Sequence, residues 1–158
     1  MICQRRDPNC FNLRNADLGR AGYDSGMSDV FSIARSGMQA ASLRLEVSAR
    51  NVANVRTTGQ LPPADGTSPA PEPYAPQRVD QVELSGGTAA RVTASPSYTP
   101  SYDPTAPYAD ASGMVATPNV DLANEFIQQL TAKYEFAANA AVMRTASDMT
   151  KTLLDRTA

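Results

Sequence analysis

Histidine and tryptophan are both missing from this chain, and cysteine occurs only at Cys3 and Cys10. Without histidine no side chain has an ordinary pKa that suits it to act as a base near neutral pH. Two cysteines confined to the first ten residues, with no histidine to join them, make a poor zinc site. There is no glycine-rich phosphate loop and no serine elbow. Asp121 and Glu125 are paired acids one helical turn apart, but they stand at the start of a helix, where carboxylates complement the dipole. The sequence therefore predicts no enzyme, no cofactor, no metal and no small-molecule substrate.

Aromatic residues amount to 6% of the chain, and the twelve prolines and nine glycines interrupt its apolar segments. Much of the 42% hydrophobic fraction is alanine, which adds little buried area but lets helices approach closely, so helix-on-helix packing around a thin core is predicted. Fourteen basic and sixteen acidic residues leave a net charge of −2, with the basic residues scattered rather than gathered into a stripe, so no nucleic-acid partner is predicted. No apolar run approaches the roughly 18 residues of a membrane-spanning helix. The N-terminus also lacks the roughly 7–15-residue apolar stretch of a secretory signal, so any export is predicted to use a route that reads no cleaved signal.

Composition divides what is present into four segments. Residues 1–26 are polar, rich in arginine and asparagine, without sustained periodicity, and read as an unstructured extension. Residues 27–59 hold a helix from about Ser28 to Val55, in which Phe31, Ala34, Met38, Ala41, Leu45, Ser48, Val52 and Val55 alternate at spacings of three and four, a heptad seam. Ser28 or Asp29 is the predicted N-cap and Gly59 the predicted stop. Residues 60–118 contain all but one of the prolines, and no helix can run through them. Within them Gln77–Leu84 and Ala89–Ala94 around Ser85-Gly86-Gly87 predict a β-hairpin, and Ser95–Met114 an extended loop. Residues 119–158 form a second helix, with Ile127, Leu130, Tyr134, Ala138, Ala141, Thr145, Met149 and Leu153 as its apolar stripe. The fold class is thus mainly α with a small β part, two terminal helices packing as an antiparallel coiled-coil-like pair. Asn51 and Asn54 stand near a helix end, where their side chains can cap backbone groups. Periodicity alone leaves open whether the stripes serve a solitary helical-hairpin adaptor or an assembling subunit.

Ser36-Gly37-Met38-Gln39-Ala40-Ala41, then Leu43–Val47, Ala49, Asn51-Val52-Ala53-Asn54 and Thr57-Thr58-Gly59, resemble the N-terminal signature of the axial proteins of the bacterial flagellum, the rod and hook family. Asn119–Leu122, Tyr134-Glu135, Ala138-Asn139, Val142–Ala146 and Met149 are similar to that family's C-terminal helix. The junction Tyr102-Asp103-Pro104, Pro107, Ala109-Asp110, Gly113–Val115 and Pro118–Asp121 resembles the passage before the last helix in a proximal-rod branch, although Ala106 and Met114 stand where that branch usually has histidine and an aromatic.

The resemblance implies a structural subunit of the periplasmic basal-body rod, which carries motor torque to hook and filament and is passed unfolded through the flagellar type III export apparatus without a cleaved signal. It implies partners among other copies of the chain and other rod proteins. It also implies an assembly interface on the helical stripes: Phe31, Ala34, Met38, Ala41, Leu45, Asn51, Val52, Asn54, Ile127, Leu130, Tyr134, Ala138, Ala141, Met149 and Leu153. The alanines around Asn139 are expected to bring the last helix close both to the first helix and to neighbouring subunits. The resemblance begins just after Met27, which is expected to be the physiological start. Terminal helices with such narrow seams are expected to stay frayed until neighbours cover them.

Overall fold

The computed structural model describes residues 12–62 and 71–157. Its elements are helix α1 (Asn12–Asn54), strands β1 (Gln77–Leu84), β2 (Gly87–Ala94), β3 (Tyr98–Tyr102) and β4 (Met114–Pro118), and helix α2 (Leu122–Thr157). Cys3, Cys10 and residues 63–70 of the proline-rich segment lie outside the described residues. No described helix is long and apolar enough to cross a membrane.

The two helices occupy long stretches without proline, α1 between Pro8 and Pro62 and α2 after Pro118. Helix α1 begins well before the predicted start, so residues 12–26 are helical rather than irregular, and Ser28 and Asp29 are interior residues, not caps. Gly19, Gly22 and Gly26 each disfavour a helix by about 1 kcal/mol, which hides it from a local reading. Extending an established helix needs no new nucleus, however, and adds one hydrogen bond per residue fixed. At its other end α1 stops at Asn54, where the Thr57 amide and hydroxyl both donate to the Asn54 carbonyl at 3.0 and 2.7 Å. Helix α2 starts at Leu122, three residues after the expected bound at 119. Asp121 is its N-cap, its carboxylate accepting from the amides of Ala123 at 2.9 Å and Asn124 at 3.3 Å.

The helices pack side by side in opposite directions. Gly37 lies against Asn139, Arg44 bonds Glu135, and Ser48 and Asn51 meet Glu125. The predicted period of α1 is present, but its phase is rotated. The inward face carries Ala34, Gly37, Ala41, Arg44, Ser48 and Asn51, flanked by Ala40 and Val47. Leu45 and Val52, expected inside, are 45% and 36% exposed. On α2 the correction is larger: the face toward α1 carries Gln128, Ala132, Glu135, Asn139, Met143 and Ala146, while the whole predicted stripe from Ile127 to Leu153 points elsewhere. Ala138 and Ala141 are exposed and do not bring α2 to α1; Gly37 and Ala132 do. Among the described residues the buried apolar ones are six alanines (34, 40, 41, 116, 132 and 146) and two valines, 47 and 115. Small side chains win the seam because the close approach they permit brings the backbones into contact along many turns.

The predicted hairpin exists as β1 and β2, in register from Gln77↔Ala94 to Leu84↔Gly87. Of its two turn residues only Gly86 has positive φ, at 93°, a conformation serine avoids. The hairpin lies on α1, where the Thr88 amide donates to the Ser36 hydroxyl at 3.1 Å. A second hairpin pairs β3 with β4 where an extended loop was expected. Pro100 has no amide hydrogen to give to a ladder. It sits opposite Ala116, whose amide and carbonyl both bond Gly59 at 2.9 Å on the far side of β4, so no ladder bond is asked of the proline.

Gly59 is therefore not the helix stop expected of it but the point where the chain leaving α1 crosses β4. A Cβ there would lie 2.5 and 2.6 Å from Pro73 backbone atoms and 2.9 Å from the Pro71 carbonyl. At Gly37 a Cβ would meet only the movable end of Asn139, at 2.7–2.8 Å. Gly59→Ala is expected to destabilise by about 1–3 kcal/mol, since backbone cannot give way. Gly37→Ala is expected to fall near zero, the contact being offset by about 1 kcal/mol of helix propensity. Urea denaturation followed by tyrosine fluorescence separates the two; equal effects would remove the distinction.

Candidate assembly interface

Two kinds of surface meet in this chain: a polar junction that closes the subunit, and apolar faces left outside it. The junction centres on Asn51, which is 2% exposed. Its side-chain amide donates to the Gln77 carbonyl and to the Glu125 carboxylate, both at 2.7 Å. Its oxygen accepts from the Gln77 amide at 2.9 Å and the Tyr74 hydroxyl at 3.0 Å. One side chain thereby fills both donor and both acceptor positions and ties α1 to the start of β1 and the first turn of α2. Asn51 is not a cap and has nothing left to offer another chain. Asn54, by contrast, donates to the Arg50 carbonyl at 2.8 Å, the helix-end role expected of it.

Around this centre the Ser48 hydroxyl donates to the Glu125 carbonyl at 3.1 Å, and Arg44 pairs with Glu135 at 2.6 Å with its own side chain 18% exposed. The Tyr108 hydroxyl bonds the side chain of Thr58 and, at 3.3 Å, its carbonyl. Burial holds the Tyr74 hydroxyl above its ordinary pKa of 10.0, the Arg50 charge opposing and Glu125 reinforcing the shift. Hydrogen bonds from the Thr105 side chain and then its amide hold Asp103 below the ordinary carboxylate value. Sequence reasoning assigned Glu125 to the helix dipole alone and missed Tyr74 and Gln77. The signal that pointed to the junction was the run of small and polar residues at positions 34, 37, 41, 44, 48 and 51.

The expected interface residues fall into two groups. Ala34, Ala41 and Asn51 are buried within the subunit, and Phe31, Met38 and Asn54 are half-buried. Leu45, Val52, Ile127, Leu130, Tyr134, Ala138, Ala141, Met149 and Leu153 are exposed. Leu122, Phe126, Phe136, Val142 and Leu154, absent from the expected set, are exposed as well, so ten large apolar side chains of α2 are exposed. Tyr134 is 67% and Phe126 61% exposed. Scattered single hydrophobes are ordinary on a surface, but α2 leaves ten large apolar side chains uncovered while burying only Ala132 and Ala146.

Two family models match the halves that build this arrangement: the flagella basal body rod protein model over residues 31–59, and the C-terminal model of flagellar basal body rod FlgEFG proteins over residues 111–156. The chain is 37% identical over 129 residues to the flagellar basal-body rod protein FlgC of Salmonella typhimurium, covering 77% of this chain and 90% of that one. Against the FlgC of Escherichia coli O157:H7 the figures are the same, and against that of Agrobacterium fabrum identity is 31% over 137 residues, 82% of this chain and 94% of the relative. The chain belongs to the FlgC family of flagellar basal-body rod proteins. The FlgC resemblance thus extends beyond the two matched segments, which contain the inward seam of α1, the Thr57-Thr58-Gly59 exit, β4 and nearly all of α2.

Replacing Asn51 tests the junction. Asn51→Ala orphans Gln77 backbone groups and the Tyr74 hydroxyl and is expected to cost about 1–3 kcal/mol. Asn51→Asp keeps the acceptor but sets a second carboxylate against Glu125, so it is expected to be worse than alanine at neutral pH and to recover on acidification. The Tyr74 contribution has the opposite limit: a raised folded pKa means stability present below pH 10.0 and lost as pH rises through the folded value. Alkaline titration read at the tyrosinate band is expected to show one late tyrosine that Tyr74→Phe abolishes.

Proposed function

We propose that this chain is a structural subunit of the basal-body rod that polymerises through the outward faces of its terminal helices and catalyses nothing. The observation that carries the reading is the exposure of ten large apolar residues on α2, a helix of which only Ala132 and Ala146 are buried. Burying each such side chain is worth about 1.5–3 kcal/mol, a larger reservoir than the alanine seam within one subunit offers. The helices act as a coiled-coil-like antiparallel pair, supported by the three-and-four spacing of Ala34, Gly37, Ala41, Arg44, Ser48 and Asn51. Its partners are other copies and other rod proteins, and its place is the periplasmic rod, in the proximal section.

Passage through the flagellar type III export apparatus without a cleaved signal belongs to the same proposal. A subunit whose internal core is mostly alanine is cheap to hold unfolded, and the terminal helices are completed by neighbours rather than by the chain itself. The solitary adaptor reading is disfavoured by the same faces, which would leave a monomer with a long unshielded apolar stripe.

Ala141→Trp and Leu130→Glu both fall on the outward face. Each is expected to change the stability of the monomer by less than about 0.5 kcal/mol. Both are nevertheless expected to leave synthesis and export intact while blocking rod completion, because every copy repeats the defect. Ala111→Trp, in the loop before β4, is the milder control. Motility, secreted subunit and basal-body content are the readouts; normal swimming in both outward-face variants would sink the interface.

A further inference from the structure

The tip of the first hairpin carries Val82 and Leu84 at 57% and 55% exposure, on the strand that turns at Gly86. On α1 the hairpin touches Ser32 and Ser36, and Gly87 is packed against Ser36 and Ile33. A cleft of about 260 Å³ runs between the two helices, lined by Ala41, Ser42, Leu45, Ala132, Lys133 and Phe136. It adjoins a wider one of about 510 Å³ that Met38 and Arg35 extend. At about 100° per residue, Met38, Ser42 and Leu45 stand roughly half a turn around α1 from Ser36, Ala40 and Val47. Hairpin and cleft therefore lie on opposite sides of the helix pair, and no chain can place its own tip in its own cleft.

We propose that the cleft receives the hairpin tip of a second copy of this chain, Leu84 and Val82 entering between Leu45 and Phe136. This rests on the rod reading above and names one of its contacts. Two observations select a second copy. The first is charge: Glu83 flanks the tip, Lys133 lines the cleft, and among the described residues neither has an ion-pair partner within the chain. The second is direction. A projection on one side and a receptor on the other make a heterologous contact, which repeats from copy to copy into a ring or an open helical array, whereas an isologous contact closes at two. The hairpin, which falls outside both matched family segments, thereby acquires a role: it sets the offset between successive copies.

The test uses the full chain with Cys3 and Cys10 changed to serine, in concentrated solution and in isolated basal bodies, with a short thiol-specific cross-linker. Leu84→Cys alone and Ser42→Cys alone are expected to stay uncoupled, a mixture of the two to give dimers only, and the double variant to give a ladder. Lys133→Glu is expected to lower the yield about two- to fivefold at low salt, and Lys133→Glu with Glu83→Lys to restore it. Self-coupling of Leu84→Cys, or a double variant that enters basal bodies yet gives no linked species, overturns the contact and leaves the rod reading standing. Absence of the unaltered chain from basal bodies overturns both.

Discussion

The close approach of α1 to α2 constrains everything else in this subunit. Where Gly37 meets Asn139 a single added carbon would lie 2.7 Å from the amide nitrogen, and the neighbouring positions Ala34, Ala41 and Ala132 are nearly as small. A seam lined by such small residues leaves little room for leucine or phenylalanine, and the large side chains of both helices lie outside it. The exposed stripe of α2 is a consequence of the tight seam rather than a separate feature. A subunit could bury its leucines against its own second helix only by pushing that helix away and losing the contacts of Asn51 and Arg44.

The junction at Asn51 sets the angle at which those helices enter. A buried amide with four satisfied bonds is costly to displace, because any shift leaves Gln77, Tyr74 or Glu125 short of a partner in a site with little water. The Gly59–Ala116 bridge acts on the same geometry from the backbone side, joining the exit of α1 to the strand that leads into α2. Together they join the two ends of a chain whose middle is otherwise rich in proline.

Period was easier to read than phase. Spacings of three and four on both helices were visible, and Ala34, Ala41 and Ser48 were placed correctly, but two registers of the same period share those residues. Hydrophobicity favoured the register with Leu45 and Val52, whereas the fold took the one with Gly37, Arg44 and Asn51. A scale that rewards apolar bulk points to the face with most to bury, and in this subunit that face is not the one that packs helix on helix. The β1–β2 hairpin was legible because its turn needs glycine, the β3–β4 hairpin was not because proline disguised a non-bonded ladder position, and the first turns of α1 were hidden by three glycines that only an existing helix could carry.

Stability within such a subunit and stability within the assembly are therefore supplied by different residues. Alanine burial and a few polar ties hold one copy together, which leaves its net folding free energy small beside the entropy of ordering two helices of 43 and 36 residues. Phe126, Leu130, Tyr134 and Met149 stay exposed on the subunit and contribute little to that stability. With its large residues outside its own seam, the chain withholds most of its apolar driving force from the monomer. The outward face of α2 is where it is withheld.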